Sequence, residues 1–124
     1  MTVNEILDKY LLSDGYLNSM EVQYDLKYAL IIYTGRKIVG KGQAKECCLK
    51  ISISDVRKIY WNEDFLSKWC TDVTLYPMDS GEIYLSFDPF GNTGKPNSED
   101  NMVIISGSIE ITEVGNTLDE INLS

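Results

Sequence analysis

Hydrophobic positions along this chain recur with two different periods. Val3, Ile6, Leu7, Tyr10 and Leu11 are spaced by three and four, which predicts a helix over 3–12 with one apolar face. Ser13-Asp14-Gly15 is a turn sequence and is expected to end that helix. From Met20 the period falls to two. Met20, Val22, Tyr24 and Leu26 alternate with Glu21, Gln23 and Asp25, the mark of a half-buried strand. The nearly unbroken apolar run 28–33 predicts a central strand covered on both faces. The basic, glycine-rich stretch 35–42 reads as a loop or hairpin tip, and Cys47, Leu49, Ile51 and Ile53 then line one face of another strand. Asn62 suits a helix N-cap, with Glu63 and Asp64 in the first turn and Trp61 and Leu66 as a hydrophobic staple. A short helix is expected from there to about Trp69, with Phe65, Leu66 and Trp69 inward.

The runs 71–78 and 82–88 form the clearest hairpin. Val73 and Leu75 must share a face with Ile83, Leu85 and Phe87, and a three-residue loop Asp79-Ser80-Gly81 places glycine where such a loop needs a left-handed residue. Both conditions give one register, with Tyr76 opposite Tyr84, Thr74 opposite Ser86 and Asp72 opposite Asp88, all on the outer face. Residues 89–101 are a polar loop. A final strand is expected over 102–114 with Val103, Ile105, Ile109 and Ile111 inward and Gly107 as a bulge or close-approach point. The tail from Gly115 reads as a last helical turn through Leu118 and Ile121, or as a frayed end. The expected fold class is α+β: one domain over 1–124, with an N-terminal helix and one short helix against a mainly antiparallel sheet of five or six strands.

Composition narrows the chemistry. The 124 residues contain no histidine, which excludes Ser-His-Asp and Cys-His catalysis within the chain and the usual zinc sites. The three cysteines, Cys47, Cys48 and Cys70, cannot all pair, which argues for free thiols in a reducing compartment. The opening Met1-Thr2-Val3-Asn4-Glu5-Ile6 lacks a basic segment followed by an apolar one, and no apolar run is long enough to span a bilayer. A cytoplasmic protein without membrane association is the expectation.

Charge is unevenly placed. Residues 1–62 carry a net +2 and residues 63–124 a net −10, giving −8 for the chain. Such acidity argues against direct nucleic-acid binding and for a basic protein partner, unless the stretch from Arg36 to Lys58 folds against the later carboxylates and neutralises them. Asp72 facing Asp88 would be unfavourable without a nearby cation, from a lysine of the chain, a partner or a metal. Asp88 and Glu99 stand at positions 1 and 12 of a calcium-loop span, but Phe90 and Thr93 occupy positions where that loop needs a ligand and a glycine. The stretch from Gly35 to Gly42 matches no phosphate-binding loop, Cys48 beside Lys50 is a nominal outward thiol, and carboxylate pairs such as Glu99 and Asp100 are not placed in any pocket. No catalytic residue, metal site or cofactor is therefore assigned.

Several segments are similar in style to small acidic immunity proteins of bacterial contact-dependent and polymorphic toxin systems. They are Ser13-Asp14-Gly15 after an N-terminal helix, Val22-Gln23-Tyr24-Asp25, the run from Tyr84 to Phe90, and Ser98-Glu99-Asp100-Asn101. The resemblance implies a non-catalytic inhibitor that blocks a cognate toxin, often a basic nuclease. The expected partner-binding residues are Asp72, Tyr76, Tyr84, Asp88, Phe90, Glu99 and Asp100, the carboxylates meeting Lys and Arg and the aromatics supplying buried area, on a monomer or homodimer. Two other readings remain: a small-ligand or cation-binding module using the 88–101 loop, and a structural homo-oligomer subunit.

Overall fold

A capping box starts the chain's helix α1 (Val3–Lys9). The Thr2 hydroxyl accepts from the Glu5 N–H (3.1 Å) and the Glu5 carboxylate accepts from the Thr2 N–H (3.0 Å). The helix ends earlier than its apolar spacing predicts. Tyr10 is already extended, with φ −131° and ψ 146°. Tyr10, Leu11 and Leu12 alternate buried, exposed, buried, so a period of two takes over inside the predicted helix. Ser13-Asp14-Gly15 lies within strand β1 (Tyr10–Gln23), not at a helix end. It forms a bulge there, with Asp14 at φ +56° and a register shift between Leu11 and Tyr16.

The structure, a computed structural model, describes residues 1–61 and 68–115. The predicted helix from Asn62 and the tail beyond Gly115 fall largely outside them. Strands β2 (Tyr28–Gly40), β3 (Gln43–Tyr60), β4 (Lys68–Cys70), β5 (Thr74–Pro77), β6 (Ile83–Asp88) and β7 (Asn101–Gly115) join β1 in one antiparallel sheet, ordered β4-β1-β2-β3-β7-β6-β5. The α+β expectation is thereby overturned. The protein is mostly β, 67% strand, with one curled seven-stranded sheet and a single seven-residue α-helix among the described residues. The reason lies in long pairings that local spacing does not reveal. The presumed tip 35–42 is mostly ladder, Gly35 facing Cys47 and Ile38 facing Ala44, with its turn at Lys41-Gly42. Tyr24 and Leu26, read as strand, are instead exposed in a 3₁₀ turn. Trp69, read as the inward end of a helix, lies on β4 and is 70% exposed.

The connection between β4 and β5 dictates the sheet's shape. These are the two edge strands, yet only Thr71–Val73 separates them, and so short a segment spans little more than ~10 Å. The sheet must therefore curl until its edges approach. Two hydrogen bonds stitch the seam: the Asp14 N–H donates to the Thr71 carbonyl (3.0 Å) and the Val73 N–H to the Ser13 hydroxyl (3.2 Å). Helix α1 lies across the remaining gap, touching β1, β2 and β5, and buries Val3 and Ile6.

The inner face is filled by Ala29, Ile31 and Tyr33 of β2, Leu49, Ile51 and Ile53 of β3, Ile109 and Ile111 of β7, and Leu85 and Phe87 of β6. Tyr33 and Phe87 meet across this interior at 5.4 Å between centroids. β2 is not covered on both faces: Leu30 and Ile32 on its outer side are only half-buried. Val103 and Ile105 also depart from expectation. They belong with Tyr84 to a second cluster on the opposite face of β6 and β7, whereas Met102 and Ile104 join the main core. Inward parity thus switches between Ile104 and Ile109. Gly107 lies in that interval, where an added Cβ would come within 3.1 Å of the Asp55 Cβ and closer still to its carboxylate. The close-approach reading of Gly107 holds.

Candidate functional site: a concavity beneath the 89–100 segment

The β5–β6 hairpin adopts the register that its pattern predicts, with Thr74 facing Ser86 and Tyr76 facing Tyr84. Its three-residue loop closes through the Met78 N–H to the Glu82 carbonyl (2.8 Å), with Gly81 at φ +90°. The ladder stops at Thr74, so Asp72 and Asp88 are not cross-strand partners. Asp88 instead faces Asn101 and lies 3.8 Å from the Lys68 ammonium, a cation from the chain itself.

Segment 89–100 folds back over the outer face of β6 and β7. One side chain holds it there. Asp100, only 8% exposed, accepts from the Phe90 N–H (2.7 Å), the Asn97 N–H (2.9 Å) and the Tyr84 hydroxyl (2.6 Å). Burial first, and the neighbouring Asp100 carboxylate second, push the Tyr84 hydroxyl far above the usual tyrosine range, so it remains a donor. Beneath the segment is a concavity of about 520 Å³. Val103, Tyr84 and Tyr60 line it from the sheet, and Pro96, Asn97, Ser98 and Asp100 from the segment. Tyr60 ends β3 and is placed here by its pairing with Val103.

Of the seven residues picked out by sequence, Tyr84 and Asp100 come together at this concavity, bonded to each other and turned away from solvent. Glu99 is exposed next to Asp100, its N–H donating to the Asn97 side-chain carbonyl (2.8 Å). Phe90 is held by its backbone N–H, and the residue is 63% exposed. Tyr76 packs on the second cluster beside Tyr84, and Asp88 is half-buried at the end of β6. Asp72 lies apart, in the seam between β4 and β5. Sequence reasoning did not assign Tyr60, Pro96, Asn97, Ser98 or Val103 to a site. Only the alternation at the end of β3 hinted at Tyr60.

The chain matches no protein-family model, no curated protein and no solved structure. The site is therefore read from its own chemistry. Three hydrogen-bond donors meet the Asp100 carboxylate, but among the described residues no Lys or Arg forms an ion pair with it. Asp72, Asp79 and Glu99 likewise lack an ion-pair partner among the described residues. Among the described residues two ion pairs tie the basic stretch to later carboxylates: Lys37 to Glu113 (3.2 Å) and Arg57 to Glu82 (3.3 Å). Neutralisation by that stretch is thus partial. No three His, Cys, Asp or Glu side chains among the described residues are grouped to hold a metal ion. All three thiols are buried, Cys48 included, and burial raises the pKa of each, which disfavours thiolate chemistry. No helix among the described residues is long and apolar enough to cross a membrane.

Proposed function

We propose that this chain is a non-catalytic, acidic protein-binding protein that neutralises a basic partner, in the manner of an immunity protein against a basic toxin or nuclease domain. The observation that supports this reading best is the set of carboxylates around the β5–β6 hairpin and the 89–100 segment, of which Asp72, Asp79, Glu99 and Asp100 have no ion-pair partner among the described residues. Glu99 is exposed with no ion-pair partner among the described residues, Asp88 has Lys68 at 3.8 Å, and Phe90, 63% exposed on the same segment as Glu99, offers apolar area. Carboxylates of this kind attract Lys and Arg and raise association rates by about 10 to 10³ at low salt, while an aromatic side chain supplies contact area. The segment is organised before any partner arrives, because Asp100 holds it, so less ordering entropy is lost on binding.

The test begins with the reading frame beside this one, inspected for a large secreted protein ending in a short basic domain. That domain is expressed with and without this chain, and association is measured at two ionic strengths. Wild-type protein should suppress toxicity and bind with a salt-dependent on-rate. Asp88→Lys with Glu99→Lys should slow association about tenfold or more and flatten the salt dependence. A complex that forms at the same rate with the charge-reversed protein at low salt would refute the electrostatic mechanism, and absence of any complex would refute the function.

A further inference from the structure

The geometry points to the concavity over Tyr60 and Tyr84 as a socket for one cationic side chain of the partner, an arginine guanidinium in particular. This deepens the reading above and rests on the partner being basic. The chemistry of the walls carries it. Asp100 is a buried carboxylate that accepts three hydrogen bonds and has no ion-pair partner among the described residues. Two of those donors, Tyr84 and Asn97, line the concavity themselves and share one carboxylate oxygen, so the negative charge of Asp100 borders the space while the other oxygen has a single donor, the Phe90 N–H. Buried charge that lacks a counter-ion is unfavourable, and a cation entering the socket relieves it.

Two tyrosine rings line the same space, and Val103 provides an apolar floor for an aliphatic stem. Aromatic rings beside a carboxylate favour guanidinium over ammonium, because the planar cation stacks on rings and is less strongly hydrated. At about 520 Å³ the concavity falls in the size range of small-ligand sites. Lys58, on β3 two residues before Tyr60, and Lys95, on the segment, are candidate competing cations. Lys58 faces Ile105 on the neighbouring strand and Lys95 is exposed on the segment, and neither lines the concavity. Glu99, next to Asp100 in sequence, is exposed and does not line the concavity.

The experiment titrates the full-length, isotopically labelled protein with N-acetyl-arginine amide, its lysine counterpart and its citrulline counterpart, following backbone amide shifts. Arginine amide should produce saturable shifts confined to Phe90, Asn97, Ser98, Asp100 and Val103, lysine amide weaker ones and citrulline amide none. Tyr60→Ala removes one wall at a half-exposed position and should weaken arginine binding about two- to fivefold. Asp100→Asn should weaken it about tenfold. Equal shifts with arginine and citrulline, or arginine shifts unaffected by Tyr60→Ala, would overturn the socket. The two proposals fail separately: arginine amide that binds here while no basic protein forms a complex leaves the socket standing and removes the inhibitor. A complex unaffected by Tyr60→Ala alongside absent arginine shifts does the reverse.

Discussion

Replacing Asp100 by asparagine tests how the concavity is built. The carboxylate faces donors on both oxygens: the Phe90 N–H at 2.7 Å on one, the Asn97 N–H at 2.9 Å and the Tyr84 hydroxyl at 2.6 Å on the other. Asparagine has the same shape but only one acceptor oxygen. If that oxygen faces Phe90, the amide NH₂ opposes the Asn97 N–H. If it faces Asn97, the NH₂ opposes the Phe90 N–H. Tyr84 adapts in either case by rotating its hydroxyl, but one backbone donor must lose its acceptor. The loss is one charge-assisted hydrogen bond, plus weakening of the others, about 1.5–3 kcal/mol. For a chain of this size, urea slopes of about 1–3 kcal/mol per molar turn that into a fall of roughly 1 M in the unfolding midpoint. Tyr84→Phe should cost about 1 kcal/mol. The double variant should cost less than the two single costs added, because both substitutions break the same contact. Hydrogen exchange supplies the local readout, since the Phe90 and Asn97 amides should be protected in the wild type and exchange freely in the variant. An unchanged midpoint, together with equally fast exchange of those amides in both proteins, would refute this account of the segment.

Two further perturbations bear on the fold. Gly15→Ala should destabilise by about 1–3 kcal/mol, because its Cβ would sit 2.6 Å from both the Thr34 carbonyl oxygen and the Tyr33 ring. Gly40→Ala, whose Cβ would meet only the Gln43 side chain at 3.6 Å, should be near neutral, and equal urea midpoints for the two variants would contradict the packing at the β1 bulge. Alkaline pH should also weaken the protein. Burial raises the hydroxyls of Tyr33 and Tyr84 far above their ordinary value of 10, and burial followed by Glu113 raises Tyr10 to about 12. Since the folded state holds these protons more tightly than the unfolded state, stability is intact below pH 10. It falls as pH rises from there through the folded values. Urea midpoints that stay level while the phenols titrate, or all eight tyrosines ionising together near pH 10, would show those hydroxyls to be unperturbed.

The β5–β6 hairpin was legible because its evidence is local: the period-two pattern and the glycine at position 81 both specify one register. β1 was not, because Val3 to Leu11 fits a helix as well as any segment of the chain. What decides for strand at Tyr10 is its pairing with Lys37, far along the sequence. The inward residues of β7 were misassigned for a related reason. Strict alternation carried through Gly107 puts Val103 and Ile105 in the core, but the irregularity beside Asp55 switches the faces. At the site, Tyr84 and Asp100 could be picked out by residue type, while their mutual hydrogen bond could not. It follows from a segment folding back on the sheet, and Tyr60 joins them only through the β3–β7 ladder.

The same ladder bears on whether the chain's two charge populations cancel. β3 carries the basic turn region of Lys41 and Lys45 at one end and Tyr60, beside the concavity, at the other. Fifteen residue steps along the strand separate Lys45 from Tyr60, a contour of roughly 50 Å before coiling and bulges shorten it. The screening length at physiological salt is about 8 Å. Lys41 and Lys45 therefore cannot neutralise Glu99 or Asp100 through space within one molecule. Contacts between the halves are local instead. Lys37 meets Glu113 near the turn, and Arg57 meets Glu82 while also bonded to Asp55 (2.7 Å), so it has little charge left to share. With the interior filled by Tyr33, Phe87 and their neighbours, chemistry directed at another molecule must sit on the outside. There the long β3–β7 pair keeps the carboxylates of the 89–100 segment apart from Lys41 and Lys45, while the exposed Lys58, two residues before Tyr60, and Lys95, on the segment itself, reduce the negative charge at that end without meeting Asp100 in an ion pair among the described residues.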